Sequence, residues 1–381
     1  MLDKDTEALL YLVKLGLGGD VETYFVQEYD WNNLKHLSSK HSITAIVVDG
    51  MQCLYKQGSS YLENVKDKQI RLQMFAQTMA IERQYQLYEN KMTDLLAFYQ
   101  QHGVKTLLLK GYGLSLNYPN PAHRPPGDID LYHFGYGGKA DDFLRKELNI
   151  RTKQNEDKHS TFVYKGLSVE NHAVFVNDEC HPSLHTLEFF FEEDADNAIP
   201  YNIRLTEGKD VSVFFPSVTT NALFIPLHLG EHFVHGEASL RQVCDWYCFV
   251  KAHHSDIDWT LVEKKSKEAG FFEFLGCLNT ILIKYIGADA TWLPQWKCDM
   301  RLVERVFTEI LYPSGLPANM SLWDKTCKFF ASNWKFKLVY CHENILMASL
   351  RQARAYCRVK WNKNGMSIWE KNKGSPVKPC V

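Results

Sequence analysis

Apolar and polar positions alternate with two different periods along this chain. Over residues 1 to about 100 the apolar positions recur at helical spacing. "TEALLYLVKLGL" is one such stretch, and "DWNNLKHLSSKHSITAIVVDGMQCLY" is another, with Asp30 as its cap. "QTMAIERQYQLYENKMTDLLAFYQQHG" predicts a long amphipathic helix ending at Gly103. From Val104 the period shortens. "VKTLLL", "DIDLYHF", "STFVYKGLSVENHAVF" and "VSVFFP" predict short strands, the third folded back on itself at Lys165-Gly166. "YGLSLNY" and "GKADDFLRKELN" predict helices between them. Beyond Pro216 the helical period returns to about residue 360, with breaks expected near Pro226 and Gly236.

This order predicts an α+β protein. A small mixed-sheet core over 104–216 is flanked by an N-terminal helical segment, 1–103, and a C-terminal helical domain, 217–365, followed by a frayed tail over 366–381. No internal repeat is visible.

Composition narrows the function classes. The formal net charge is −2, which gives no general electrostatic attraction to nucleic acid or acidic membranes. The start of the chain carries acids early and no basic-then-apolar leader, so a cytoplasmic location is expected. "GFFEFLGCLNTILIKYIGA" contains Glu273 and Lys284 and predicts a buried helix rather than a membrane span. The ten cysteines lack CxxC pairing, as expected of reduced thiols without a structural zinc.

The chemistry concentrates in "LLLKGYGLSLNYPNPAHRPPGDIDLYHF". Asp128 and Asp130 alternate with Ile129, so they share one face of a strand. Two carboxylates on one face repel and resist burial. The pattern alone admits a turn residue beside a solvated strand acid, or a pair of acids facing divalent cations. Lys110-Gly111 ends the preceding strand, where a cation and close backbone approach suit phosphate. In "LSVENHAVF", Glu170 and His172 share a face of another strand, and three acids from two adjacent strands can form a two-metal site.

Taken together, the Lys-Gly, Tyr-Pro, Arg and Asp-x-Asp order, then "VENH" and the downstream "PLHLGEHF…LRQVCDWYCFV", resembles the uncharacterised nucleotidyltransferase family of the DNA polymerase beta-like superfamily, over roughly residues 30 to 250. The resemblance implies a nucleotidyltransferase that moves a nucleoside monophosphate from an NTP to a hydroxyl-type acceptor by a two-metal route. It implies Asp128, Asp130 and Glu170 as catalytic, Mg2+- or Mn2+-binding carboxylates. Lys110, Gly111, Ser115, Arg124, His172 and Arg241 are the expected nucleotide-side residues. The acceptor is left open among a small molecule, a protein side chain and an RNA end. One departure stands out: Tyr112 follows Gly111 where the superfamily has Ser, with Ser115 about a turn on.

Two other readings come from the residues. "HLGEH" matches H-x-x-E-H, which would make His228 and His232 zinc ligands and Glu231 the base of a peptidase, but no third ligand is signalled downstream, where Glu304 or Glu309 would have to serve. A non-catalytic nucleotide-binding module is the other. Arg241 and Asp245 are four apart, the spacing of an intrahelical ion pair.

Overall fold

The computed structural model describes residues 2–20, 29–56, 68–155, 158–204, 210–314 and 331–361. The N-terminal segment folds as α1 (Lys4–Gly16), α2 (Trp31–Lys40), α3 (Thr44–Lys56) and α4 (Lys68–Gln101). Asp30 caps α2, its side chain accepting from the Asn32 amide. The stretch expected as one helix from Asp30 is divided between α2 and α3, where Ser42 takes a positive φ of 56°. The expected tail over 366–381 lies outside the described residues.

The sheet comprises β1 (Leu107–Leu108), β2 (Ile129–Tyr132), β3 (Lys153–Asn155), β4 (His159–Tyr164), β5 (Leu167–His172), β6 (Ile199–Arg204) and β7 (Asp210–Phe215), in the order β3-β4-β5-β2-β1-β7-β6. It is mixed: β2 pairs parallel to β5 and β1 parallel to β7, and the other pairs are antiparallel. Lys165 and Gly166 both take positive φ, 46° and 83°, the geometry of a two-residue type I′ hairpin between β4 and β5. β3 and β6 were not expected. β6, "IPYNIR", holds a proline and few apolar residues, which an edge strand tolerates. Between strands lie α5 (Tyr112–Ser115), α6 (Gly137–Glu147) and α7 (His185–Asp194).

The sheet separates two cores, and alternation along its strands divides the side chains between them. Leu108, Ile129, Leu131 and Val169 pack against Tyr88, Met92, Leu95 and Tyr99 of α4. Leu107 and Tyr132 face the other way, into a larger core shared by α1–α3 and the C-terminal helices. Those helices begin with α8 (Val218–His235), α9 (Leu240–His253), α10 (Trp259–Ala269) and α11 (Phe272–Ile281). α8 runs through Pro226 instead of breaking there and stops at Gly236, which takes the left-handed φ of 74°. The proline removes one N–H donor from the ladder, yet Ala222 to Leu227 are all buried, and that packing sustains the helix. α11 is buried, as expected for residues 270–288. No helix among the described residues is long and apolar enough to cross a membrane.

Asp128, Asp130 and Tyr132 have the same parity. The acid-bearing face of the sheet is therefore the one that looks toward α8 and α9.

Candidate active site

A cleft of about 280 Å3 opens between these two surfaces. Asp128, Asp130 and Glu170 line one wall; His228, His232, Arg241 and Asp245 of α8 and α9 line the other. Lys110, Gly111 and Arg124 complete it.

Sheet register brings the acids together. β2 and β5 are hydrogen-bonded neighbours, with Asp130 directly opposite Glu170 and Tyr132 opposite His172. All four residues of β2 are buried, and Asp130 is only 7% exposed, which excludes a solvated strand acid at that position. Lys110 Nζ donates to Asp130 Oδ1 at 2.9 Å, and His172 Nε2 lies 3.1 Å from the same oxygen. Burial opposes ionisation of Asp130. The Lys110 ammonium and His172 outweigh it and hold the carboxyl well below the usual range. At Glu170 burial is likewise outweighed, by His172 and His159, so its carboxyl is also depressed. Asp128 goes the other way: burial, then the charges of Glu170 and Asp130, raise it in spite of a hydrogen bond from Ser168. One member of the trio thus carries the repulsion of the other two.

The Pro-rich loop between Gly111 and Asp128 is tied down at both ends. His123 sits between Asp49 Oδ2 at 2.6 Å and Glu82 Oε1 at 2.8 Å. Arg124 donates through Nε and Nη2 to the two oxygens of Asp245, at 2.7 and 3.0 Å, and the Tyr118 hydroxyl donates to Asp245 Oδ1 at 2.6 Å. Asp245 is therefore taken up by the loop rather than by Arg241, its expected partner one turn away. Arg124 lines the cleft but spends its charge on this buried pair.

Arg241 is left over. It lines the cleft and makes no ion pair among the described residues, and burial together with repulsion from Arg124 lowers its pKa. A guanidinium without an ion-pair partner in a cleft wall is suited to an anion.

The other expected nucleotide-side residues divide. Gly111 lines the cleft at a positive φ of 60°, and a Cβ there would sit 3.0 Å from the Tyr88 hydroxyl. The helix after it, α5, is a single turn of four residues and adds no sustained dipole. Ser115 is turned away: its Oγ donates to the Tyr112 carbonyl at 2.7 Å and meets the Tyr85 hydroxyl at 2.8 Å, and it is 1% exposed. Tyr112, which follows Gly111, points its hydroxyl to Glu89 at 2.9 Å on α4. His172 lies behind the acids, 2% exposed, between Asp130 and Glu170.

The H-x-x-E-H residues do share one face of α8, but they are committed elsewhere. Lys110 Nζ donates to His228 Nε2 at 3.4 Å, and His232 Nε2 lies 3.1 Å from that same nitrogen. Burial and Lys110 push His228 down to about 3, so it is neutral. Glu231 pairs with Lys158 at 3.6 Å. Glu304 and Glu309, one of which a third ligand would have required, pair with Lys284 and Lys335 and border a separate depression.

Sequence reading missed His159 and Lys158 at the head of β4. Their only signal was a hairpin that folds β4 back along β5, and the pairing is visible once Lys165-Gly166 is taken as the turn.

A family model described as an uncharacterised nucleotidyltransferase matches residues 27–285, well over half of the chain. The chain belongs to that nucleotidyltransferase family. A search of curated proteins and a search of solved structures each returned no match.

Proposed function

We propose that this nucleotidyltransferase moves a nucleoside monophosphate from an NTP to a hydroxyl-type acceptor, with divalent cations held by Asp128, Asp130 and Glu170. The observation that carries this reading is the polarity of one cleft: three mutually repelling carboxylates on the sheet wall, and on the helix wall Arg241, with no ion pair among the described residues.

The donor set fits a hard dication. All three groups are carboxylate oxygens, the donor type Mg2+ and Mn2+ accept. Asp130 already draws positive charge, from Lys110 at 2.9 Å. When bound, such cations neutralise the triphosphate and activate the acceptor oxygen. The chain's own work is then positional. Arg241 grips phosphate oxygens. Gly111, without a side chain, lets the backbone approach them. Lys110 stands between Asp130 and His228 and is free to turn to a phosphate once another cation serves Asp130. The fork from Arg124 to Asp245 fixes the loop that carries Asp128. Position and charge of this kind supply most of the rate in phosphoryl chemistry.

The experiment is incubation with each α-labelled NTP, Mg2+ or Mn2+, and cell extract, comparing wild type with Asp128→Asn. A labelled small molecule, protein or RNA end with wild type and none with the variant supports the reading and identifies the acceptor. Equal labelling by both removes Asp128 from the mechanism. Nucleotide binding without pyrophosphate release across all acceptors replaces the enzyme with a nucleotide-binding module.

A further inference from the structure

Glu170 faces nitrogen as well as oxygen. β4 and β5 run antiparallel, with His159 directly opposite His172 and Thr161 opposite Glu170. His159, Glu170 and His172 therefore share the sheet face that carries Asp130. His159 Nε2 lies 3.5 Å from Glu170 Oε1, and His172 Nε2 lies 3.4 Å from Glu170 Oε2. Each carboxylate oxygen thus meets a different imidazole. One donor atom from each residue falls within 4.8 Å of the other two.

These separations are long for N–H···O hydrogen bonds. They suit ligands around a shared ion: donors about 2.1 Å from a metal at tetrahedral angles lie about 3.4 Å apart. The Nδ1 atoms of His159 and His172 are buried without a hydrogen-bond partner among the described residues, so one nitrogen of each ring is left unsatisfied by protein groups. His172 gives up its 3.1 Å contact with Asp130 when it turns its lone pair to a metal, and Lys110 still serves that carboxylate. A magnesium site takes oxygen donors, whereas two imidazoles and a carboxylate suit a transition metal.

We infer that His159, Glu170 and His172 form a site for a transition-metal dication, adjoining the aspartate pair and sharing Glu170 with it. This rests on the proposed reading of Glu170 as a metal ligand and adds a choice among metals: nitrogen donors favour the Co2+ and Zn2+ class over Mg2+.

The test uses the full chain, stripped of metal and without nucleotide, titrated with Co2+ and followed by visible d–d absorption. One site is expected, and a hundredfold excess of Mg2+ should leave its bands in place. Both His159→Gln and His159→Ala should weaken Co2+ at least tenfold, while His185→Gln, at an exposed histidine, binds as wild type. Displacement of Co2+ from wild type by Mg2+ at similar concentration overturns the inference, even if a His159 variant misfolds. So does wild-type Co2+ affinity in both folded His159 variants. Failure of NTP transfer with the Co2+ site intact would instead remove the proposed function and leave the metal site standing.

Discussion

Asp130 and Asp245 face each other across the cleft and are nearly equally buried, at 7% and 5% exposure. Both carboxyls stay ionised in spite of burial because cations outweigh its cost, and both are held below the ordinary range. Their company differs. Asp245 is saturated by the Arg124 fork and the Tyr118 hydroxyl, and it joins the Pro-rich loop to α9. Asp130 has Lys110 and His172, but it also sits beside Asp128 and Glu170, whose mutual charge raises Asp128. A depressed carboxyl alone therefore marks neither stability nor chemistry. Like-charged neighbours at an open cleft distinguish the second from the first.

That contrast is open to direct attack. The largest effect is expected at Asp130. Asp130→Asn should lower nucleotidyl transfer about a thousandfold or more, with a smaller fall in the urea midpoint than Asp245→Asn gives, since Lys110 is partly exposed and keeps its contact with His228. A modest loss of rate would put Asp130 in the structural class with Asp245. Asp245→Asn should act first on stability. Leaving Arg124 buried and unpaired costs about 3–5 kcal/mol, seen as a lower urea midpoint, and an unchanged midpoint would break the comparison.

Arg241→Met comes next. It should weaken binding of a non-hydrolysable NTP about ten- to hundredfold, roughly 1.4–2.7 kcal/mol, by calorimetry, without loss of stability because no carboxylate is left behind. Equal affinity for both proteins would show that the free guanidinium meets no phosphate.

The smallest effect is on pH. Burial opposes the Asp245 charge, Arg124 outweighs it, and the folded carboxyl lies below its unfolded value of 3.8. The unfolded chain thus binds a proton first. The stability Asp245 contributes is complete above pH 3.8 and disappears as pH falls through the lower folded value. Thermal melts across that window should fall less steeply for Asp245→Asn than for wild type, and identical slopes would exclude Asp245 as a source of acid sensitivity.

Much of the fold was legible because periodicity is local. Helical spacing marked α1, α4 and α8, and Lys165-Gly166 announced its hairpin. β6 escaped because an edge strand needs little apolar alternation. Pro226 suggested a break that long-range packing overrode. At the site, the alternation of Asp128 with Asp130, and of Glu170 with His172, was visible from the strand period alone. The fate of Ser115 was not, because its hydroxyl is taken by Tyr85, thirty residues upstream.

By itself, then, the sequence determined which side chains share a face, because the backbone repeat sets that within a few residues, and it determined membership of a nucleotidyltransferase family. The tertiary structure alone decided which faces meet. The parallel pairing of β2 with β5 put Asp130 against Glu170, the β4 hairpin brought His159 to the same carboxylate, and a contact across 121 residues gave Asp245 to Arg124 rather than to Arg241. Such pairings depend on burial and charge balance summed over distant segments, and no local spacing encodes them.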